Sequence, residues 1–156
     1  MEICLNLIRN KRGSSMVEFA VSAPLLFLLC AGAGDYARLF FSAISLKSGS
    51  NVGAFYGSQE AARSGDIAGM TSRALDDAAD AARFNGVTAT ADQYCVCPGM
   101  TAFPCGEYQT TTCPAGYGNP RAYVRVRATQ SFRPLAPFFG VPESVNVDQM
   151  TWMRVR

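Results

Sequence analysis

The feature that most constrains this chain is a run of 16 uncharged, mainly apolar residues, Phe19 to Gly34, near its N-terminus. As an α-helix the run is roughly 24 Å long, at about 1.5 Å per residue. A bilayer core is about 30 Å thick. The apolar residues on either side, between Met16 and Phe41, supply the missing length. We therefore predict a transmembrane helix over residues 14–41.

The charges around this run predict how it crosses the membrane. The first 13 residues carry the whole net charge of +2, because from Ser14 onward 11 basic residues balance 11 acidic ones. The basic residues of this leader are Arg9, Lys11 and Arg12. Since basic flanks stay in the cytoplasm, we expect a single-pass protein with a cytoplasmic N-terminus. Residues 42–156 then form an extracytoplasmic domain.

A secretory signal peptide is the alternative to a membrane span. It also has a basic start and an apolar stretch, and Ala31-Gly32-Ala33 is a weak match to a signal cleavage site. The apolar run is long for a signal peptide, and its pattern continues past that site. Both features favour the span.

The carboxylate of Glu18 needs an explanation, because a charge at the edge of a span is costly unless it is paired. Gly13 follows the basic leader, and after four more residues come Glu18 and Phe19. This arrangement resembles the processing site of type IV prepilins, in which a membrane peptidase cuts after the glycine. The resemblance implies cleavage between Gly13 and Ser14, loss of residues 1–13, and a glutamate as the fifth mature residue.

A wider set of residues is similar to the TadE-like pseudopilins of tight-adherence (Tad/Flp) pili. The shared elements are, in chain order, Arg12-Gly13, Val17-Glu18-Phe19, Pro24-Leu25-Leu26, Asp35-Tyr36 and Arg38-Leu39. In such assemblies the glutamate pairs with the new terminal amine, so Glu18 and Phe19 would set the register of a helix bundle. The implied partners are prepilin peptidase, other pilins and pseudopilins, the pilus assembly platform and the lipid of the bacterial inner membrane.

The resemblance implies a minor pilin or pseudopilin that serves pilus assembly, surface adherence and biofilm formation, with a periplasmic C-terminal domain. The sequence is compatible with incorporation in an extracellular pilus and with a role that only primes assembly. The alternative is a bitopic inner-membrane protein with an extracytoplasmic sensing or interaction domain. That alternative needs neither Gly13 nor Glu18.

Beyond the span, the sequence predicts two helical segments. The first continues α-helix from the membrane to about residue 60, weakened by Gly49, Gly53 and Gly57 at roughly 1 kcal/mol each. The second covers residues 66–84, with one apolar face and a cap at Asn85-Gly86. The predicted face consists of Ile67, Met70, Ala74, Ala78 and Ala82. The acidic residues Asp76, Asp77 and Asp80 lack the spacing of a calcium loop, so we interpret them as a solvated face.

Four cysteines follow in a segment rich in Pro, Gly and Thr: Cys95, Cys97, Cys105 and Cys113. On the oxidising side of a membrane such cysteines form disulfides, and we expect two that staple this loop. A zinc site is the alternative, but the spacing lacks the usual C-x2-C pairs. We expect Cys95 and Cys97 each to pair with one of the other two, in either combination. Cys30, within the apolar run, is interpreted as a packing residue.

Two alternating segments close the chain, over Tyr123 to Phe132 and Ser144 to Arg156. Their period of two predicts antiparallel strands with one buried face. The connector between them, RPLAPFFGVPE, is interpreted as a packed turn or an interaction surface. The predicted fold is therefore α+β and pilin-like: a long transmembrane helix, a second amphipathic helix and a small C-terminal antiparallel sheet with a disulfide-stapled loop.

The composition excludes several other classes of protein. The chain has no histidine, which removes the commonest general base and metal ligand. No glycine-rich loop suits a phosphate, and no constellation of side chains suggests catalysis. A nucleic-acid binder would need an excess of basic residues in its folded part, whereas the charge after residue 13 is balanced. We expect no catalytic residue, no cofactor, no bound metal and no nucleic-acid partner.

Overall fold

The computed structural model describes residues 14–83, 86–105, 113, 118–135 and 142–156. A long helix is followed by three short ones and a four-stranded sheet. The elements in chain order are α1 (Ser14–Ser58), α2 (Ala61–Ser64), α3 (Ile67–Asp77), α4 (Ala79–Ala82), β1 (Val87–Val96), β2 (Phe103–Pro104), β3 (Arg121–Phe132) and β4 (Val145–Arg154). This arrangement confirms the predicted α+β class.

Helix α1 is 45 residues long and continues without a break past the end of the apolar run. At about 1.5 Å per residue it measures roughly 67 Å, more than twice the thickness of a bilayer core. Its residues up to Gly34 are almost all exposed, whereas the segment from Ser42 to Ser58 carries all of its buried positions. The helix ends close to the predicted residue 60. One helix therefore contains both the predicted span and a structural element of the folded domain.

Three glycines spaced four residues apart, Gly49, Gly53 and Gly57, line the face of α1 that packs against α3. A Cβ atom added at Gly49 would overlap the carbonyl oxygen of Ala74, and one at Gly53 would lie 2.7 Å from that of Met70. The sequence indicates only that these glycines weaken the helix. In the structure Gly49 and Gly53 also allow the backbones of α1 and α3 to touch, and Gly57 leaves room for the Met70 side chain.

The second predicted helix, over residues 66–84, is interrupted. α3 ends at Asp77, and Ala78 turns with φ −83° and ψ 7° before α4 begins. This turn changes the buried face, so that Ala81 is buried and Ala82, which the helical period predicted, is exposed. Of the other residues of the predicted face, Met70, Ala74 and Ala78 are buried and Ile67 is exposed.

Asp66 caps the N-terminus of α3. Its carboxylate accepts hydrogen bonds from the backbone N–H of Gly69 and from the hydroxyl of Tyr56 on α1, each at 2.9 Å. These donors, the backbone N–H most of all, lower the pKa of Asp66 below its ordinary value. The cap therefore also ties the start of α3 to α1. Asn85, part of the predicted C-terminal cap, lies outside the described residues.

The sheet is antiparallel, with strand order β2-β1-β3-β4. The two predicted closing strands are present, and the inward residues of β3 are all buried: Val124, Val126, Ala128, Gln130 and Phe132. β1 and the two-residue β2 are not predicted by the sequence. β1 places small residues toward the helices and Thr88, Thr90, Asp92 and Tyr94 on the outer face, so its apolar period is weak.

The core lies between the sheet and the helices α1 and α3. It consists of two small clusters, one of Leu46, Ala78, Ala128, Phe132 and Val147, the other of Ala54, Met70, Ala74, Val124 and Val126. The buried amide of Gln130 donates from Nε2 to the carbonyl oxygen of Ala81 at 2.8 Å, which joins β3 to α4. Most of the core residues are small, so the fold depends on close approach of its elements.

We predict that Gly49→Ala destabilises the domain, although alanine favours a helix by about 1 kcal/mol. The new methyl group overlaps the backbone of Ala74, and overpacking of this kind costs about 1–3 kcal/mol. Unfolding of the full chain in detergent, followed through the single tryptophan, Trp152, measures the change. Gly65→Ala is the control, because Gly65 has open space around its Cβ position. Equal unfolding midpoints for Gly49→Ala and the wild type would contradict the close helix contact.

Candidate functional site

The N-terminal part of α1 presents an apolar surface that the other described residues leave uncovered. Phe27 is 76% exposed and Met16 is 79% exposed. The most apolar 18-residue window of the helix has a mean hydropathy of 1.9, and none of it is buried. By length and composition the helix is able to cross a membrane. This surface is consistent with membrane anchoring, because contiguous apolar area of this size needs an apolar partner.

Glu18 lies four residues after Ser14, the first residue of α1. Helical side chains lean toward the N-terminus, so the carboxylate leans toward the turn that contains Ser14, about 6 Å away along the axis. Phe19, the other residue assigned to bundle register, is 68% exposed beside it. Gly13, on the other side of the predicted cleavage point, lies outside the described residues.

At the far end of the apolar run, Asp35 and Arg38 connect α1 to the sheet. Arg38 Nη1 lies 3.0 Å from Asp35 Oδ1, and the guanidinium carbon lies 5.2 Å from the centre of the Phe132 ring. The Asp35 carboxylate also accepts a hydrogen bond from the backbone N–H of Leu135, whose nitrogen is 3.0 Å from both oxygens. Asp35 therefore fixes the segment after β3 beside the last apolar turn of α1.

One feature of the sequence indicates this contact between α1 and the sheet, namely the spacing of Asp35 and Arg38. Asp35 and Arg38 are three residues apart, which places both on one face of a helix. Within the resemblance they are only motif positions, and the structure gives them a role. Their partner Leu135 is 100 residues away in the chain, and no local pattern links such distant positions.

The remaining motif residues divide between the domain and the outer surface of α1. Leu39 packs against the core cluster that contains Phe132. Tyr36 is 69% exposed, and its ring stacks on that of Phe40 with centroids 6.4 Å apart. Pro24 lies inside α1 without ending it. Cys30, predicted to pack, is free and exposed in the single chain.

The four cysteines beyond the helices form the predicted disulfides. Cys95 pairs with Cys105 and Cys97 with Cys113, with Cα atoms 5.0 and 5.4 Å apart. The sequence leaves the pairing open, and the strands explain it: Cys95 stands opposite Phe103 of β2, which brings Cys105 close. The two bonds use the four sulfurs that the alternative zinc site would need.

The acidic residues near the end of α3 are exposed, as expected of a solvated face: Asp76, Asp77 and Asp80. Asp80 pairs with Arg83 at 3.1 Å, and both side chains are open to solvent. Within the ranges that the structure describes, no three His, Cys, Asp or Glu side chains come together in a group able to hold a metal ion. Phe138 and Phe139 of the connector lie outside those ranges.

Residues 13–54 match the family model described as TadE-like protein. The match confirms the resemblance over about a quarter of the chain, from the predicted cleavage site through the apolar run and the Asp35–Arg38 junction to Ala54. It supports a protein associated with a Tad-type pilus, with pilins and pilus machinery as partners. No curated protein and no solved structure matches the chain.

We predict that alkylation of the native protein in its membrane, without reductant, leaves the four paired cysteines unmodified. Peptide mass spectrometry identifies the labelled positions, and the same reaction after reduction in denaturant should label all of them. Ready labelling of the four cysteines in the native protein would contradict the disulfides and favour the metal alternative. The double variant Cys97→Ser/Cys113→Ser should lose about 2–4 kcal/mol of unfolding free energy, whereas Cys30→Ser, the control, should lose none.

Proposed function

We propose that this chain is a minor pilin or pseudopilin of a Tad-type pilus and that it supports surface adherence and biofilm formation. One observation carries the proposal: within the TadE-like match, Gly13, Glu18 and Phe19 stand at the prepilin spacing, and the exposed apolar part of α1 continues from Phe19. The partners are prepilin peptidase, other pilins and pseudopilins, the assembly platform and inner-membrane lipid.

The first step is cleavage by the peptidase between Gly13 and Ser14. It removes the leader with its basic residues, Arg9, Lys11 and Arg12, and leaves an ammonium group on Ser14. The mature chain then begins at the first residue of α1. Loss of the leader charges removes the groups that would hold the N-terminus at the cytoplasmic surface.

The second step is packing of α1 against like helices, with Glu18 as the register residue. In an apolar bundle a carboxylate without a partner is unfavourable, and breaking a buried ion pair costs about 3–5 kcal/mol. A terminal amine at the depth of Glu18, from its own chain or a neighbour, relieves that cost. The positive end of the helix dipole favours the same carboxylate. The correct stagger between subunits is thereby selected.

The extracytoplasmic domain has a binding or structural role rather than a catalytic one. The leader charge favours a cytoplasmic N-terminus and a periplasmic domain, and the two disulfides suit that oxidising compartment. The chain lacks histidine, and none of the described clusters combines a nucleophile with a base. We propose a protein without enzymatic activity and without a nucleic-acid partner.

Gly13→Ala should abolish or strongly slow processing, because it adds a methyl group directly beside the bond that the peptidase cuts. N-terminal peptide mass spectrometry of protein from its own host should find Ser14 as the first residue of the wild type and the intact leader in the variant. Gly32→Ala, a substitution at an open position of the span, is the matched control and should be cleaved normally.

Two results would overturn the pilin proposal. A wild-type chain that keeps Met1 would indicate the bitopic alternative, an anchored extracytoplasmic domain without processing. A wild-type chain that starts after Ala33 would indicate a secreted protein.

Glu18→Leu should still be cleaved and remain in the membrane, but it should fail in pilus assembly because the terminal amine loses its partner. N-terminal peptide mass spectrometry, membrane fractionation and electron microscopy of surface pili measure the three properties separately. Glu18→Gln tests whether the charge itself is needed, and Glu60→Gln, at an exposed position, is the control. Normal piliation by Glu18→Leu would remove the register role.

A further inference from the structure

We propose that the segment after β3, from Arg133 to Leu135, rests with Tyr36 and Phe40 of α1 on the outer surface of the bilayer. The folded domain then sits directly on the membrane instead of standing away from it on a helical stalk. This inference relies on the membrane anchoring in the proposed function and adds a second contact with lipid. Its partner is the headgroup and upper acyl region of a phospholipid bilayer.

The hydrogen bonds of Asp35 fix the depth of this segment. The backbone nitrogen of Leu135 lies 3.0 Å from both carboxylate oxygens of Asp35. Asp35 directly follows Gly34, the last residue of the uncharged run. Here the span ends at Gly34 instead of at the predicted residue 41, because Asp35 and Arg38 are charged and the helix from Ser14 to Gly34, about 31 Å long, already covers a bilayer core. Leu135 therefore lies at the level where α1 leaves the hydrocarbon region.

The side chains at this level have the character of a membrane interface. Leu135 is 76% exposed, Tyr36 is 69% exposed and Phe40 is 58% exposed. Tyrosine is favoured at this depth because its ring is apolar and its hydroxyl is polar. Arg133 is exposed, and an arginine at this depth extends its guanidinium to the lipid phosphates while its stem stays in the apolar layer.

The ion pair of Asp35 and Arg38 lies beneath this surface and is shielded from water, which a charged pair close to hydrocarbon requires. The side chains of Asp35 and Arg38 are only 13% and 22% exposed. The ring of Phe132 covers the guanidinium of Arg38, and the backbone N–H of Leu135 donates a hydrogen bond to the carboxylate of Asp35. Because both side chains are already largely shielded from water, little further hydration is lost when lipid covers them. Lipid is therefore a suitable cover for this end of the domain.

The opposite end of the domain lies far from this level. β4 runs along α1 away from the apolar run, and Thr151 donates a hydrogen bond to Asn51 Oδ1 at 2.6 Å. Asn51 is 16 residues beyond Asp35, which is about 24 Å along the helix axis. Trp152, the single tryptophan of the chain, is next to Thr151. It marks a position that the bilayer should not reach.

Contact quenching by brominated lipid tests the proposal on the full-length protein in vesicles of phosphatidylcholine and phosphatidylglycerol. The lipids carry bromine on the acyl chains near the headgroup, and matched vesicles carry none. Two variants are built on Trp152→Phe: Leu135→Trp, which reports on the segment, and Leu28→Trp, which reports on the span. We expect both to lose emission in brominated vesicles and to emit at shorter wavelength, whereas wild-type Trp152 keeps its emission.

The outcomes separate this inference from the function on which it relies. Quenching of Leu28→Trp without quenching of Leu135→Trp would overturn the surface contact and leave the membrane anchor intact. Absence of quenching in both would overturn the anchor and the inference together. A blue shift of Leu135→Trp without bromine quenching would show that protein, such as a second copy of the chain, covers the segment, and would overturn the contact with lipid.

Asp35 acts as a positioning residue, and its removal gives a second test. Asp35→Ala added to Leu135→Trp releases the backbone N–H of Leu135, and we expect most of the quenching to be lost. The matched control is Asp148→Ala, which removes a carboxylate from the exposed pair with Arg127 on the sheet and should change nothing. A cooperative unfolding transition, followed through the emission of the single tryptophan, reports that each variant has folded. Unchanged quenching in a folded Asp35→Ala variant would overturn the positioning role.

Discussion

Backbone contact between α1 and α3 is the constraint on which the rest of the domain depends. α1 has the length of a membrane helix plus a domain helix, and its sequence offers few large side chains to the core. Gly49 and Gly53 bring the α3 backbone against α1, and the Cβ of Ala74 meets the Gly53 position. Val126 of β3 packs at the same point, so sheet and helices close over a core of small residues. A larger residue on α1 would separate α3 from the sheet as well as from α1.

Local patterns predict those parts of the fold whose cause is local. The long helix, the buried face of β3 and the oxidised cysteines follow from the apolar run, the period of two and the compartment. The role of Gly49 and the contact of Asp35 with Leu135 do not, because each depends on a partner distant in the chain. β1 is not predicted from the sequence because its burial also depends on other elements. It is buried by its neighbours rather than by large apolar side chains of its own, so its alternation carries little hydrophobic signal.

The same shortage of large apolar residues explains why polar links and disulfides matter in this domain. Lys47 donates from Nζ to the carbonyl oxygen of Met150 at 2.9 Å and to Thr151 Oγ1 at 2.8 Å, which joins α1 to the edge strand. At the other edge, the two disulfides fasten the loop to the end of β1. Both edges of the sheet are thus held by directional bonds, and the apolar clusters need only fill the centre.

A rigid connection between helix and domain gives the proposed register residue a consequence at the other end of the molecule. α1 is unbroken from Ser14 to Ser58, and the domain is fixed to it at Asp35 and along the glycine face. The domain therefore neither swivels nor slides on the helix. If Glu18 sets the axial position of α1 in a bundle, it also sets the height and the facing direction of the sheet, about 50 Å farther along the axis. A single ion pair near the N-terminus is then sufficient to align the outer surfaces of neighbouring subunits, because the helix transmits its position without a hinge.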